Sequence, residues 1–232
     1  MKTSGLIFLS MLMCVCAPVK AEKATIHILQ NSIYHQDEVE DVKNGESWIA
    51  IIESNGKYTA KQVTISVKTV KDEVIDPEKG PFTGKEIISD PATAFLIKGI
   101  AIKTGTPIKA YPIDTSSIEG GKSIEIKGGL STVKLLGKSK IHLKGDGYET
   151  NDAYQLIGIV DNQEFTLVAP TTLDDSFPQL IWAGDLNNDG QPDLLIDTTN
   201  HYNVSNPTLF LSKVSKDKIT YHKVAERRST GC

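Results

Sequence analysis

Apolar and polar residues alternate with a period of two over several short stretches of the chain, the spacing that puts one face of a β-strand in a core and the other in water. The alternation is clearest at Val63, Ile65 and Val67, with Thr64 and Ser66 between them. A second run, 47–53, holds Trp48, Ile49, Ile51 and Ile52, and the Asn55-Gly56 dipeptide after it predicts a tight turn back into an antiparallel partner. Further strands are expected at 95–97, 123–126, 132–136, 140–144, 154–160 and 164–168. The last third adds 180–183, 193–196, 208–211 and 219–224. Asp161-Asn162-Gln163 reads as another tight turn. Helical spacing is confined to 37–43, where Val39 and Val42 stand among acidic residues, enough for one or two turns. Short strands at regular intervals, with no long amphipathic helices between them, predict a mainly β fold of antiparallel sheets, as a sandwich or a partial propeller-like array.

Two stretches break this rhythm. Residues 72–90 carry Pro77, Gly80, Pro81 and Gly84 and read as a long loop. Residues 105–121 carry Pro107, Pro112 and the Gly120-Gly121 pair, and a boundary between an N-terminal unit, 22–113, and a C-terminal unit, 114–232, is placed there. No second copy of any segment marks a repeat.

The first 21 residues read as an export signal: Lys2, an apolar run from Gly5 to Val15, then Val19 and Ala21 flanking Lys20 before a cut. The run is about half the ~20 residues that a bilayer-spanning helix needs. The expected mature chain starts at Glu22 and is periplasmic or extracellular. The signal removes Lys2 and Lys20 from the 25 basic residues and none of the 29 acidic ones, so the formal charge moves from −4 to about −6. With no cluster of Lys or Arg there is no electrostatic footprint for nucleic acid or an anionic membrane surface. Of the three cysteines, Cys14 and Cys16 leave with the signal and Cys232 stands at the end, so the mature fold holds no internal disulfide and rests on its core.

One segment carries metal chemistry. In Gly184-Asp185-Leu186-Asn187-Asn188-Asp189-Gly190-Gln191-Pro192-Asp193, oxygen-bearing side chains recur at Asp185, Asn187, Asp189 and Asp193, and the Gln191 carbonyl falls at position 7 of the loop. Calcium takes six to eight hard oxygens, and a tight loop gathers them from alternate residues. Three carboxylates around one dication leave a net charge of −1, against −3 without it, so ion binding is expected to order the loop. Magnesium, with its rigid octahedral demands, fits less well. Position 12 is Ile196 where an EF-hand or dockerin module needs an acid, and Pro192 followed by Leu194-Leu195-Ile196 leads into a strand and not a helix. On the residues from Ala183 to Leu195 the segment resembles the FG-GAP (VCBS-type) repeat, whose calcium loop joins two strands of a β-propeller blade in integrin α-chains and many bacterial exported proteins. The resemblance implies Asp185, Asn187, Asp189 and Asp193 as side-chain ligands. It spans only about 180–211, and Gly145-Asp146-Gly147 is the nearest echo, so a complete propeller is not implied.

The expectation is an exported calcium-binding protein with a binding or structural role, the ion rigidifying a strand-loop-strand turn and an unidentified protein or glycan as partner. The alternative is an extracytoplasmic hydrolase with Asp197 and His201 beside the loop. Asp197 lies four residues along the strand from Asp193, and His201 follows in a polar stretch, so both are candidates for supporting the ion or for acid–base work. Nucleophile elbows, zinc-binding His pairs and phosphate loops are missing from the sequence, and the five His show no ligand spacing. Trp48 and Trp182 sit in apolar runs and read as core more readily than as a sugar-binding face.

Overall fold

The computed structural model describes residues 25–91, 93–143, 149–216 and 218–231. The expected export signal, Cys232 and the Gly145-Asp146-Gly147 echo lie outside them. The described residues form β1 (His27–Leu29), β2 (Ser32–Tyr34), β3 (Ser47–Ser54), β4 (Lys57–Thr64), β5 (Ser66–Val70), β6 (Gly84–Ile88), β7 (Phe95–Lys98), β8 (Pro107–Ile108) and β9 (Ser123–Ile126). The chain continues through β10 (Val133–Leu143), β11 (Glu149–Val160), β12 (Gln163–Val168), β13 (Gln179–Gly184), β14 (Asp193–Asp197), β15 (Val204–Ser205), β16 (Pro207–Ser215), β17 (Lys218–Glu226) and β18 (Ser229–Thr230). The expected helical stretch at 37–43 is a single 3₁₀ turn, Gln36–Val39. None of the described helices is long and apolar enough to cross a membrane.

The strands pair antiparallel into four main sheets: sheet I (β2-β6-β5), sheet II (β1-β7-β3-β4-β8), sheet III (β13-β14-β16-β17) and sheet IV (β9-β10-β11-β12), with β15-β18 as a small ribbon. The fold is therefore mainly β, with antiparallel sheets packed face to face. Three apolar layers stack them in the order I, II, III, IV. Tyr34 and Ile87 of sheet I meet Leu29, Trp48, Ala50 and Leu96 of sheet II. Ile28, Ile51, Phe95 and Ile97 on the other face of sheet II meet Trp182, Leu195 and Leu209 of sheet III. Leu180, Leu194, Ile196 and Phe210 on the far face of sheet III meet Ile126, Val133, Leu135 and Leu156 of sheet IV. Both tryptophans are core residues, 2% and 3% exposed, and Phe95 packs edge-on to Trp182 at 5.2 Å.

Sheet III is covered on both faces, which is why β14 reads Leu-Leu-Ile without alternation: Leu195 faces sheet II while Leu194 and Ile196 face sheet IV. Sheets I and II use strands before residue 109 and sheets III and IV strands after residue 122. The connection between them runs along the free edge of β13, where Ala110 bridges Gly184 and Ser117 bridges Gln179. The expected break at 113/114 falls within this connection.

The Asn55-Gly56 and Asp161-Asn162 turns close two-residue hairpins with both central φ angles positive, the geometry that matches strand twist. Three expectations are corrected. The 72–90 loop contains β6, the central strand of sheet I, whose core-facing content is nearly reduced to Ile87 and so leaves no alternation to read. The 63–67 alternation is not one strand: β4 ends at Thr64 in sheet II, the chain crosses at the buried Ile65, and β5 starts at Ser66 in sheet I. The runs at 132–136 and 140–144 are one strand, β10, with a register shift between Lys138 and Lys140.

Candidate cation site

Residues 185–192 connect β13 to β14 at one end of sheet III. The Lys109 carbonyl accepts from Asp185 N at 2.9 Å, so the connection along the β13 edge fixes where the loop starts. The loop then turns at Asn188 and Gly190, with φ of +59° and +87°, values that favour asparagine and glycine.

The carboxylates organise this turn by accepting from its main chain. Asp185 Oδ1 accepts from Asp189 N at 3.0 Å and Asp185 Oδ2 from Gly190 N at 2.9 Å. Asp189 Oδ1 accepts from Gln191 N at 3.0 Å, and its Oδ2 reaches across to Val214 N at 3.2 Å. Asp193, wholly buried, accepts from Leu186 N at 2.7 Å on Oδ2 and from Ser212 N at 2.7 Å on Oδ1. Burial pushes the Asp193 carboxyl up to about 7, against the pull of these donors.

Ser212, on β16 and not anticipated from the sequence, is the point of convergence. Its hydroxyl lies 3.0 and 3.1 Å from the two Asp189 oxygens, 2.9 Å from Asp193 Oδ1 and 3.4 Å from the Gln191 carbonyl. A hydroxyl has one proton to donate, so oxygens of three residues compete for it. Asn187 is drawn to the same place: its Oδ1 accepts from Asp189 N at 3.0 Å, and its Nδ2 donates to the Ser212 carbonyl at 2.7 Å. Nδ2 also stands 3.4 Å from Asp189 Oδ2 and from Asp193 Oδ1. Among the described residues no Lys, Arg or His forms an ion pair with Asp185, Asp189 or Asp193. Two tyrosines close the surroundings. Tyr111 OH donates to the Gly190 carbonyl at 3.4 Å, and its phenol is pushed up to about 12 by burial and by the charges of Asp185, Asp189 and Asp193. Tyr221 OH donates to the Pro192 carbonyl at 2.9 Å and is raised mainly by burial.

The predicted ligand residues thus share one loop, in different roles. Asp189, Asp193 and the Gln191 carbonyl meet at Ser212, whereas Asp185 faces the amides of 189 and 190. Asn187 presents its amide nitrogen, not its oxygen, to the two carboxylates. Among the described residues no three His, Cys, Asp or Glu side chains form a ready-made metal cage. The Gln191 side chain points away from the carboxylates, to Ser131.

Asp197 and His201 do not stand beside the loop. Asp197 is at the opposite end of β14 from Asp193, four residues or roughly 13 Å along the strand. Both its oxygens are engaged, Oδ1 by Thr199 N and Asn206 N at 3.0 and 2.8 Å and Oδ2 by Ser205 Oγ at 2.9 Å. His201 pairs with Asp174 at 3.1 Å through Nε2, accepts from Asn203 N at 3.0 Å through Nδ1, and stacks on Tyr202. The two side chains cap separate turns and form no acid–base pair with each other. The chain matches no family model, no curated protein and no solved structure.

Proposed function

We propose that the protein is an exported calcium-binding protein of structural or partner-binding role, and that the loop 185–193 holds the ion. The observation that carries this reading is the surplus of acceptors at Ser212: four oxygens from Asp189, Asp193 and the Gln191 carbonyl lie within 3.4 Å of a single hydroxyl, with no ion-paired cation among the described residues. A buried carboxylate such as Asp193 is ordinarily paired or bound to a metal, and a dication shared with the half-buried Asp189 is the partner this set lacks. The donors are all hard oxygens, which suits calcium over softer metals. Asp189, Asp193, the Gln191 carbonyl and Ser212 Oγ would hold the ion where they already meet, and Asp185 and Asn187 would join by turning their side chains. Bound there, the ion supplies charge neutralisation to a turn fixed to three neighbouring segments, and so rigidifies the junction of β13, β14 and β16.

Melting of the mature chain in EDTA and in about 1 mM calcium tests this. Binding near 10 μM adds about 2.7 kcal/mol, a rise on the order of 5–10 °C for a chain of this size. The rise is expected to be absent with magnesium and in Asp189→Ala. An unchanged melting temperature in the wild type, with no heat of calcium binding by calorimetry, overturns the reading.

A further inference from the structure

The outer side of the loop is bound as closely as the inner side. The turn between β9 and β10 lies against it: Leu130 N donates to the Gly190 carbonyl at 3.1 Å, and Ser131 N donates to Gln191 Oε1 at 3.0 Å. Gln191 Nε2 returns a bond to the Ser131 carbonyl at 2.9 Å. The wholly buried Gln191 side chain therefore imitates a strand partner, satisfying both main-chain groups of one residue in the turn. The fit is close enough that a Cβ on Gly129 would stand 2.7 Å from Pro192 Cδ and 2.9 Å from Gln191 Oε1.

The same two residues face the carboxylates. Gly190 N donates to Asp185 and Gln191 N to Asp189. Residues 190 and 191 thus carry hydrogen bonds to the acidic side chains on one edge and to the 128–131 turn on the other, and neither set survives a displacement of the other by much over half an ångström. Asp185 and Asp189 stand in one loop with no ion-paired cation among the described residues, and any movement of these side chains apart is passed to this shared segment through the bonds they accept from Gly190 N and Gln191 N. Besides the Ile126–Val133 pairing that closes it, the turn is held by Lys109 Nζ donating to the Gly128 carbonyl at 2.8 Å and Ser131 Oγ donating to Asp161 at 2.9 Å, both at exposed positions, and the Leu130 side chain lies over Gly190. At its tip Leu130 is 64% exposed.

We infer that the β9–β10 turn, residues 127–132, reads out the state of the loop: calcium bound at 185–193 orders the turn and fixes the exposed Leu130, and loss of the ion releases it. This rests on the calcium reading above. Because the link is energetic it is reciprocal, so loosening the turn weakens calcium binding although no residue of the cation loop has changed.

Hydrogen–deuterium exchange of the whole mature chain, in EDTA and in about 1 mM calcium, provides the test, with calcium binding measured separately by calorimetry. Exchange at Leu130 and Ser131 is expected to slow on the order of tenfold or more in calcium, while residues 48–52 of β3 stay constant. Gly129→Ala, which pushes the turn off Pro192 and Gln191, is expected to lower calcium affinity several-fold. Calorimetric binding with unchanged exchange at 130–131 overturns the coupling and leaves the calcium site standing. Absence of any binding heat removes both. The wild-type measurement decides even if Gly129→Ala does not fold.

Discussion

Removing the Asp193 side chain sets two opposing terms against each other, and pH decides which prevails. Asp193→Ala takes the acceptor from Leu186 N and Ser212 N, both in buried residues. Each orphaned amide costs about 1–3 kcal/mol, so the loss is roughly 2–6 kcal/mol. Against it stands the burial of the carboxylate itself. The folded carboxyl titrates at about 7 and the unfolded one near 3.8, so between these values folding takes up a proton and stability falls as pH rises. Moving the carboxyl from 3.8 to about 7 is worth about 4 kcal/mol, nearly absent at pH 4 and below and fully felt above about pH 7. In EDTA, Asp193→Ala is therefore expected to destabilise by roughly 1–5 kcal/mol near pH 4.5, where the native carboxyl is protonated and only about 1 kcal/mol of the burial penalty is present, and to be close to neutral near pH 8. Guanidinium titrations of both proteins at the two pH values, with chelator, read the difference directly. In saturating calcium the proposed ion is expected to relieve the wild type's high-pH penalty, so that the variant's cost reappears at pH 8. An equal cost at both pH values in EDTA would refute the reasoning, because it would mean that the carboxylate is not desolvated in the ion-free loop.

Three further outcomes follow from contacts away from the loop. The hydrogen bond that His35 Nδ1 donates to Asp72 raises His35 above its usual 6.5 and lowers Asp72, so the pair's contribution is complete between about pH 4 and 6.5 and is lost as pH rises through the folded His35 value. Wild type is expected to gain stability over His35→Gln at pH 5.5 relative to pH 9 in thermal melts, and parallel pH profiles would exclude it. Arg227 donates to both Asp41 oxygens and to the Glu38 carbonyl, each at 2.8 Å, and Asp41 is 44% exposed, so Arg227→Ala is expected to cost about 1–2 kcal/mol. A double-mutant cycle with Asp41→Asn should assign part of that loss to the pair, and an additive cycle would deny it. A fragment beginning at residue 114 exposes the sheet III face of Trp182, Leu195 and Leu209 and lacks the Lys109 carbonyl that holds Asp185 N, so it is expected to aggregate or to melt well below the whole chain. A monomeric fragment with an unchanged melting temperature would show that the sheet II–III layer contributes little.

The sequence made the hairpins and the C-terminal strands legible because there the information is local. The positive φ angles of Asn55-Gly56 and Asp161-Asn162 are chemical properties of the residues at the turn, and the strands on either side turn at least one face inward, wholly or, as in β12, partly buried, which is enough to show a pattern. Where a strand is specified by its neighbours the pattern fades. β2 buries only Tyr34 and β6 essentially only Ile87; β6 is specified by its pairing with β2 on one side and β5 on the other, and β2 by its pairing with β6. The crossing at Ile65 was invisible for the opposite reason: alternation continues unbroken through it, since both sheets II and I turn the same side toward their shared layer.

The candidate site divides along the same line. Asp185, Asn187, Asp189, Gln191 and Asp193 were legible because consecutive residues of one loop must meet, whatever the rest of the fold does. Ser212 lies 19 residues beyond Asp193 on a strand of ordinary composition, and only the pairing of β14 with β16 brings it under the loop. The role of the Gln191 side chain was hidden in another way. The sequence assigns Gln191 a backbone oxygen and leaves its amide without a task, whereas the fold uses that amide to hold Ser131, 60 residues away. Both hidden contacts come from sheet III lying between two others. A loop at the end of a doubly covered sheet is bounded by the next strand of its own sheet on one side and by a turn of sheet IV on the other, so Asp193 is shut off from water and the half-buried Asp185 and Asp189 have less room to turn outward than on an isolated hairpin. The charge they concentrate has to be met inside the fold. That confinement, more than the count of acids in the loop, is the structural argument for the proposed cation.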